Sequence, residues 1–184
     1  MGVRKRKKGG WRVWISPDTG YHNFELDELF WFTQTRKGYE HGINTYVMTM
    51  ATQIPRQILA FDVDNLIKTR TIQKMVNSIN PAIKYSTDGA TIYKSIDFYP
   101  GVHKRNMVDK SDTHIIESTN SDLRHYIAGL RRRSRCFFRK LSTLKAVLWI
   151  LINAYNKFGH WKYHHFAKTP KAARDLPFNH TRFI

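Results

Sequence analysis

The chain has 184 residues, 41% of them hydrophobic and 14% aromatic, which is enough to bury a real core and excludes a largely disordered protein. Its 31 Lys and Arg against 14 Asp and Glu leave a net charge of +17, a field that draws polyanions such as nucleic acid or an anionic membrane surface. A single cysteine, Cys136, excludes an internal disulfide and any zinc finger built from CxxC pairs, and it suits a cytosolic compartment. The longest apolar run, AVLWILI at 146–152, falls far short of the roughly 18–20 residues that span a bilayer and reads as a core helix. The opening MGVRKRKKGG has a basic head with no apolar segment behind it, so it is not a secretory signal.

In chain order, residues 1–20 form a basic arm, closed by the turn SPDTG. FELDELFWF (24–32) predicts a strand with Phe24, Leu26, Phe30 and Phe32 on one face. Asp27 falls on the other face, with Glu25, Leu29 and Trp31. RKGYEHG makes a hairpin connection to a second strand at 44–53, and the turn IPRQ leads to a third at 58–64. Ile72, Met75, Val76 and Ile79 then recur at helical spacing, predicting a helix over 69–79 that Pro81 ends. AIKYSTDG is a short fourth strand breaking at Asp88 and Gly89. A helical turn around TIYKSID and a brief strand near VHKR follow. The remainder reads as helical from 114 to about Arg135, and again along Leu141, Leu144, Leu148, Leu151 and Tyr155. Residues 161–184 form a basic C-terminal tail. Residues 21–160 are then one domain: three antiparallel strands, a helix, a parallel-type strand and helices. That is the element order of an α/β, ribonuclease-H-like mixed sheet flanked by helices.

Acidic residues are scarce, so each one within an apolar element needs a reason: an isolated buried carboxylate costs several kcal/mol unless a cation or donors compensate it. Asp27 lies mid-strand, Asp88 at a strand end and Glu117 in the first turns of a helix. Pairing the first strand with the fourth, under that helix, would bring the three together. Three convergent carboxylates suit magnesium or manganese rather than zinc. Two such ions about 3.5–4 Å apart serve phosphoryl transfer. Taken singly, each acid also has an ordinary role. Asp27 could share a polar sheet edge with Glu25 and Glu28, Asp88 could be a turn residue, and Glu117 could answer the helix dipole.

FELDELF, YSTDGATIY and THIIESTNSDLR, followed by LRRRSRCFFRK, resemble the catalytic domain of the DDE transposases of the IS-one family of bacterial insertion sequences. The resemblance covers about residues 24–158. It rests on an aspartate flanked by acids, a Thr-Asp pair with a tyrosine a few residues on, and the pattern Ile-Glu-x-x-Asn-x-x-Leu-Arg. It implies Asp27, Asp88 and Glu117 as catalytic, metal-binding acids for two magnesium ions, with manganese as the alternative. It implies Asn120 and Arg124 as companions on the DNA-facing side. The implied activity is metal-dependent cleavage and strand transfer of an insertion sequence by a nucleoid-associated cytoplasmic protein, with element ends and target DNA as partners and a homo-oligomer joining two ends. Two departures stand out. Ala90 and Thr91 occupy the place where the family often has a tryptophan, and no finger-like DNA-reading segment precedes the domain. The expectation is one reading frame of a two-frame element, or a truncated copy. The rival expectations are a ribonuclease-H-like nuclease without strand transfer and an inactive DNA-binding remnant.

A single helix from 114 to 135 would set Arg124, Arg131 and Arg135 in line with Glu117, with Ile116, Leu123, Ile127 and Leu130 facing the core. On that reading the carboxylate holds metal while these arginines and Arg132 hold the DNA backbone, for which a planar, permanently charged fork is suited. The arm RKRKK would add non-specific grip, an import signal or only solubility. Trp11, Trp14 and Trp31 could stack on bases but read as core. His160 and His164 lack further ligands and read as part of the tail.

Overall fold

The computed structural model describes Val13 and residues 23–33, 43–53, 56–106, 113–131 and 138–158. Three long strands come first: β1 (Asn23–Thr33), β2 (Ile43–Thr52) and β3 (Gln57–Asp64). They pair antiparallel in sequence. After helix α1 (Thr69–Val76), strand β4 (Lys84–Asp88) lies parallel to β1 on its other side. A 3₁₀ turn at Thr91–Ser95 leads to β5 (Val102–Asn106), parallel to β4. Two helices, α2 (His114–Tyr126) and α3 (Leu141–Phe158), complete the described chain. The sheet order is β3-β2-β1-β4-β5. This is the ribonuclease-H-like mixed sheet expected from the element order. Among the described residues no helix is long and apolar enough to cross a membrane.

Period-2 alternation along β1 sends its side chains into two different cores. Phe24 and Leu26 join Met48, Met50, Tyr85 and the α1 stripe Ile72, Met75 and Val76 on one face. Leu29 and Trp31 join Val47, Ile58, Leu123, Leu144 and Leu148 beneath α2 and α3 on the other. The strand order makes β1 central and both its faces are packed, so a buried carboxylate on it must find compensation within the protein. Asp27 is therefore not on a sheet edge.

Helix α1 stops at Val76 instead of running to Ile79. The Ser78 N–H and hydroxyl both take the Met75 carbonyl, at 3.1 and 2.7 Å, and Pro81 disfavours helix just before it. Gly101 opens β5 where the chain passes close to its neighbour. A Cβ there would lie 2.4 Å from the Ala82 carbonyl oxygen and 2.6 Å from the Tyr85 ring, so no larger residue fits.

The larger correction concerns α2, which ends at Tyr126 and not near Arg135. Ile127 turns extended, with φ −100° and ψ 101°. A short 3₁₀ turn, Ala128–Leu130, follows. Gly129 is pressed against Phe138, leaving no room for a Cβ on the ring side. Arg131, beyond the helix, donates from Nε and Nη2 to the His125 carbonyl at 3.0 and 2.6 Å, closing the exposed end. Ile127 and Leu130 are buried as expected, but from irregular chain. One helical line running from Glu117 through Arg131 to Arg135 therefore does not exist. Arg132, Arg135, Cys136, the N-terminal basic arm, His160 and His164 lie outside the described residues.

Candidate metal centre

The parallel pairing of β1 with β4 ends at Leu26 opposite Thr87. The next residue on each strand is an aspartate, so Asp27 and Asp88 emerge side by side where the ladder stops. Past that point β4 no longer covers β1, and the following side chain, Glu28, can reach the same space although it starts from the opposite face. Asp27, Glu28 and Asp88 each offer a carboxylate oxygen, and these oxygens lie within 4.8 Å of one another. They form a group that could hold a metal ion.

Burial first, and then neighbouring charge, raises two of these carboxyls. Burial pushes the Asp27 carboxyl above its usual range, and the charges of Asp88 and Glu117 push the same way; bonds from the Glu28 backbone and the Asn120 side chain pull it back. Glu28 rises to about 7, first through burial and then through Asp27 and Asp88, with the Tyr93 hydroxyl opposing. Glu28 Oε1 is buried with no hydrogen-bond partner. A buried carboxylate oxygen left unmatched beside two other carboxylates suits a hard, oxygen-seeking cation. The donor set fits magnesium or manganese.

Helix α2 is fastened over this end of β1 by two contacts one turn apart. Thr113, at the N-cap, makes no side-chain capping bond. Glu25, 6% exposed on β1, supplies the cap from across the structure: its Oε2 accepts the Ile116 N–H at 2.7 Å. A carboxylate at the positive end of a helix is favoured by the helix dipole as well as by the bond. One turn on, Asn120 Nδ2 donates to Asp27 Oδ2 at 2.9 Å. Glu117 sits between these anchors, three residues before Asn120 and hence on a neighbouring face, exposed and close enough for its charge to act on Asp27. Glu25→Ala is expected to cost about 2 kcal/mol, the worth of a charge-assisted bond to a buried donor. Denaturant unfolding checks this, and a loss under about 0.5 kcal/mol would mean that Glu25 does not fasten α2.

Asp27 and Asp88 are thus adjacent, with Glu117 on the helix above them. Asn120 does not face outward to DNA as the resemblance implied; it is 3% exposed and turned toward Asp27. Arg124 is half-buried one turn further along α2. Sequence reasoning missed Glu28 as a member of the group and Tyr93 as its partner. Both stood in the motifs quoted above, as the acid following the first aspartate and the tyrosine following the second.

No protein-family model matches the chain, and no curated protein does. Among solved structures it is similar to a chain of the simian T-cell lymphotropic virus intasome in complex with PP2A regulatory subunit B56 gamma, with 13% identity and a TM-score of 0.57. The match covers 91% of this chain and 62% of the length of that one. At such identity the likeness is one of fold.

Proposed function

We propose that the chain is the catalytic part of a DDE-type DNA transposase of the IS-one kind. The observation that supports this most is the junction of Asp27 with Asp88 at the end of a parallel strand pair, beneath a helix carrying Glu117, in a ribonuclease-H-like sheet. The fold likeness to a chain of a viral intasome agrees with it. Asp27, Asp88 and Glu117, with Glu28 as a further oxygen donor, would hold two magnesium ions. When bound, such ions supply charge stabilisation to a phosphodiester under attack and activate the attacking oxygen.

The protein's own part is to hold those carboxylates in register and to fix the DNA backbone beside them. Asp88 is kept at the strand tip by its own turn, its Oδ1 accepting the Ala90 N–H at 2.9 Å. The net charge of +17 supplies the attraction for DNA, and binding should weaken steeply with salt. The proposed reaction is hydrolytic nicking at the element end, followed by in-line attack of the freed 3′-hydroxyl on a target phosphodiester. Element ends and target are the DNA partners, two ends are joined in a homo-oligomer, and the protein acts at the nucleoid.

A labelled duplex with a pre-cut 3′-end, incubated with target DNA and magnesium, is expected to yield joined product. Hydrolysis of the target with no joining would replace this reading with a nuclease. Salt-sensitive binding with neither product would leave a DNA-binding remnant.

A further inference from the structure

Resting on the metal-centre reading above, we infer that Asn120 is a positioning residue, holding the Asp27 carboxylate ready for a divalent cation through a relay anchored on Thr49. Thr49 stands on β2 directly across the ladder from Asp27. Both Thr49 and Asn120 are shut away from solvent, at 1% and 3% exposure. The Thr49 hydroxyl donates to Asn120 Oδ1 at 2.9 Å, and Asn120 Nδ2 donates to Asp27 Oδ2 at 2.9 Å. The direction of the relay is forced. The Asp27 carboxylate sets it: turning the amide over would put its oxygen against a carboxylate oxygen, whereas the Thr49 hydroxyl, able to donate or accept, adapts to the orientation Asp27 requires.

One Asp27 oxygen thus accepts from the relay, which fixes the side chain beside Glu28 and Asp88. The relay ties together β1, β2 and α2, so the carboxylate is held by three elements that the two cores already immobilise. Partners that hydrogen-bond a ligating carboxylate orient it, and their removal typically weakens metal binding about 10–100-fold. An asparagine reading DNA would need an accessible amide, which this burial denies.

The test is Mn²⁺ affinity of the full chain without DNA, read from the electron paramagnetic resonance signal of free Mn²⁺, alongside thermal unfolding. Asn120→Ala should weaken Mn²⁺ binding about tenfold or more. Thr49→Val should weaken it by a smaller factor, about threefold, and should add nothing to Asn120→Ala, because the two act through one relay. Asn156→Ala is the structural control. Asn156 is 5% exposed and holds the Ile58 N–H and carbonyl at 2.9 and 2.8 Å, so its loss should lower the Tm while leaving Mn²⁺ affinity unmoved.

If Asn120→Ala binds Mn²⁺ like the wild type, or Asn156→Ala weakens it equally, the positioning role is overturned while the metal centre stands. Wild-type protein that binds no Mn²⁺ overturns the centre and this role together. Should Asn120→Ala fail to fold, Thr49→Val decides alone, and unchanged Mn²⁺ affinity in that variant refutes the relay.

Discussion

Asp88→Asn is expected to lower magnesium-dependent strand cleavage and joining on the order of a thousandfold or more, equivalent to about 4 kcal/mol of transition-state stabilisation. Fold and DNA binding should persist. Asp88 is exposed, and its structural contact, the bond from the Ala90 N–H, asks only for an oxygen acceptor, which asparagine keeps. What the substitution removes is the negative charge beside Asp27 and one donor from the group that could hold a cation. With one acid fewer, the already large positive charge grows slightly, so DNA affinity should stay the same or rise. Cleavage of a labelled end oligonucleotide, with binding followed by fluorescence anisotropy at matched salt, separates the two effects. Cleavage within tenfold of wild type would take Asp88 out of the mechanism. Equal loss of DNA binding would mean that the variant had damaged the fold.

The legible part of this centre was what local pattern controls. Alternation along FELDELFWF placed Asp27 on the face with Leu29 and Trp31, which is where α2 packs. The break at Asp88 and Gly89 marked a strand tip, and helical spacing placed Glu117 near the start of a helix. What local pattern cannot supply is adjacency. The central position of β1 turns Glu25 from a polar-edge residue into a buried cap for α2, and only the strand order reveals that. Glu28 was hidden for a related reason. Alternation assigns it to the face opposite Asp27, but the β4 ladder ends two residues earlier, at Leu26, and side chains from both faces can then meet around the open end. The end of α2 was hidden by coincidence: Ile127 and Leu130 continue a helical apolar stripe, although contact of Gly129 with Phe138 fixes them in non-helical chain. Tertiary packing there outweighs the modest preference of the segment for helix.

Glu28→Gln is expected to make the metal-free protein more stable at pH 8, by about 3 kcal/mol, the free energy of a carboxyl raised from 4.5 to about 7. The sign follows from proton counting. Between pH 4.5 and 7 the folded protein keeps the Glu28 proton while the unfolded chain has released it, so wild-type stability falls as pH rises through this window. Below pH 4.5 both states are protonated and the penalty is absent; above 7 it is complete. Glutamine has no proton to lose. Its carbonyl can accept from the Tyr93 hydroxyl, and its amide can donate toward Asp27 and Asp88 in place of a third negative charge. In chelator at pH 8 the variant should melt roughly 6–12 °C higher than wild type, with the difference closing below pH 5. Adding Mn²⁺ should reverse the comparison in part: a cation bound only by the folded state stabilises in proportion to its affinity, and the wild type keeps the stronger donor set. Electrostatic strain that a cation relieves is what a site suited to a cation would show. Equal melting of the two proteins at pH 8, or a gap that does not change with pH, would show that Glu28 carries no such strain and leave Asp27, Asp88 and Glu117 to hold any metal without it.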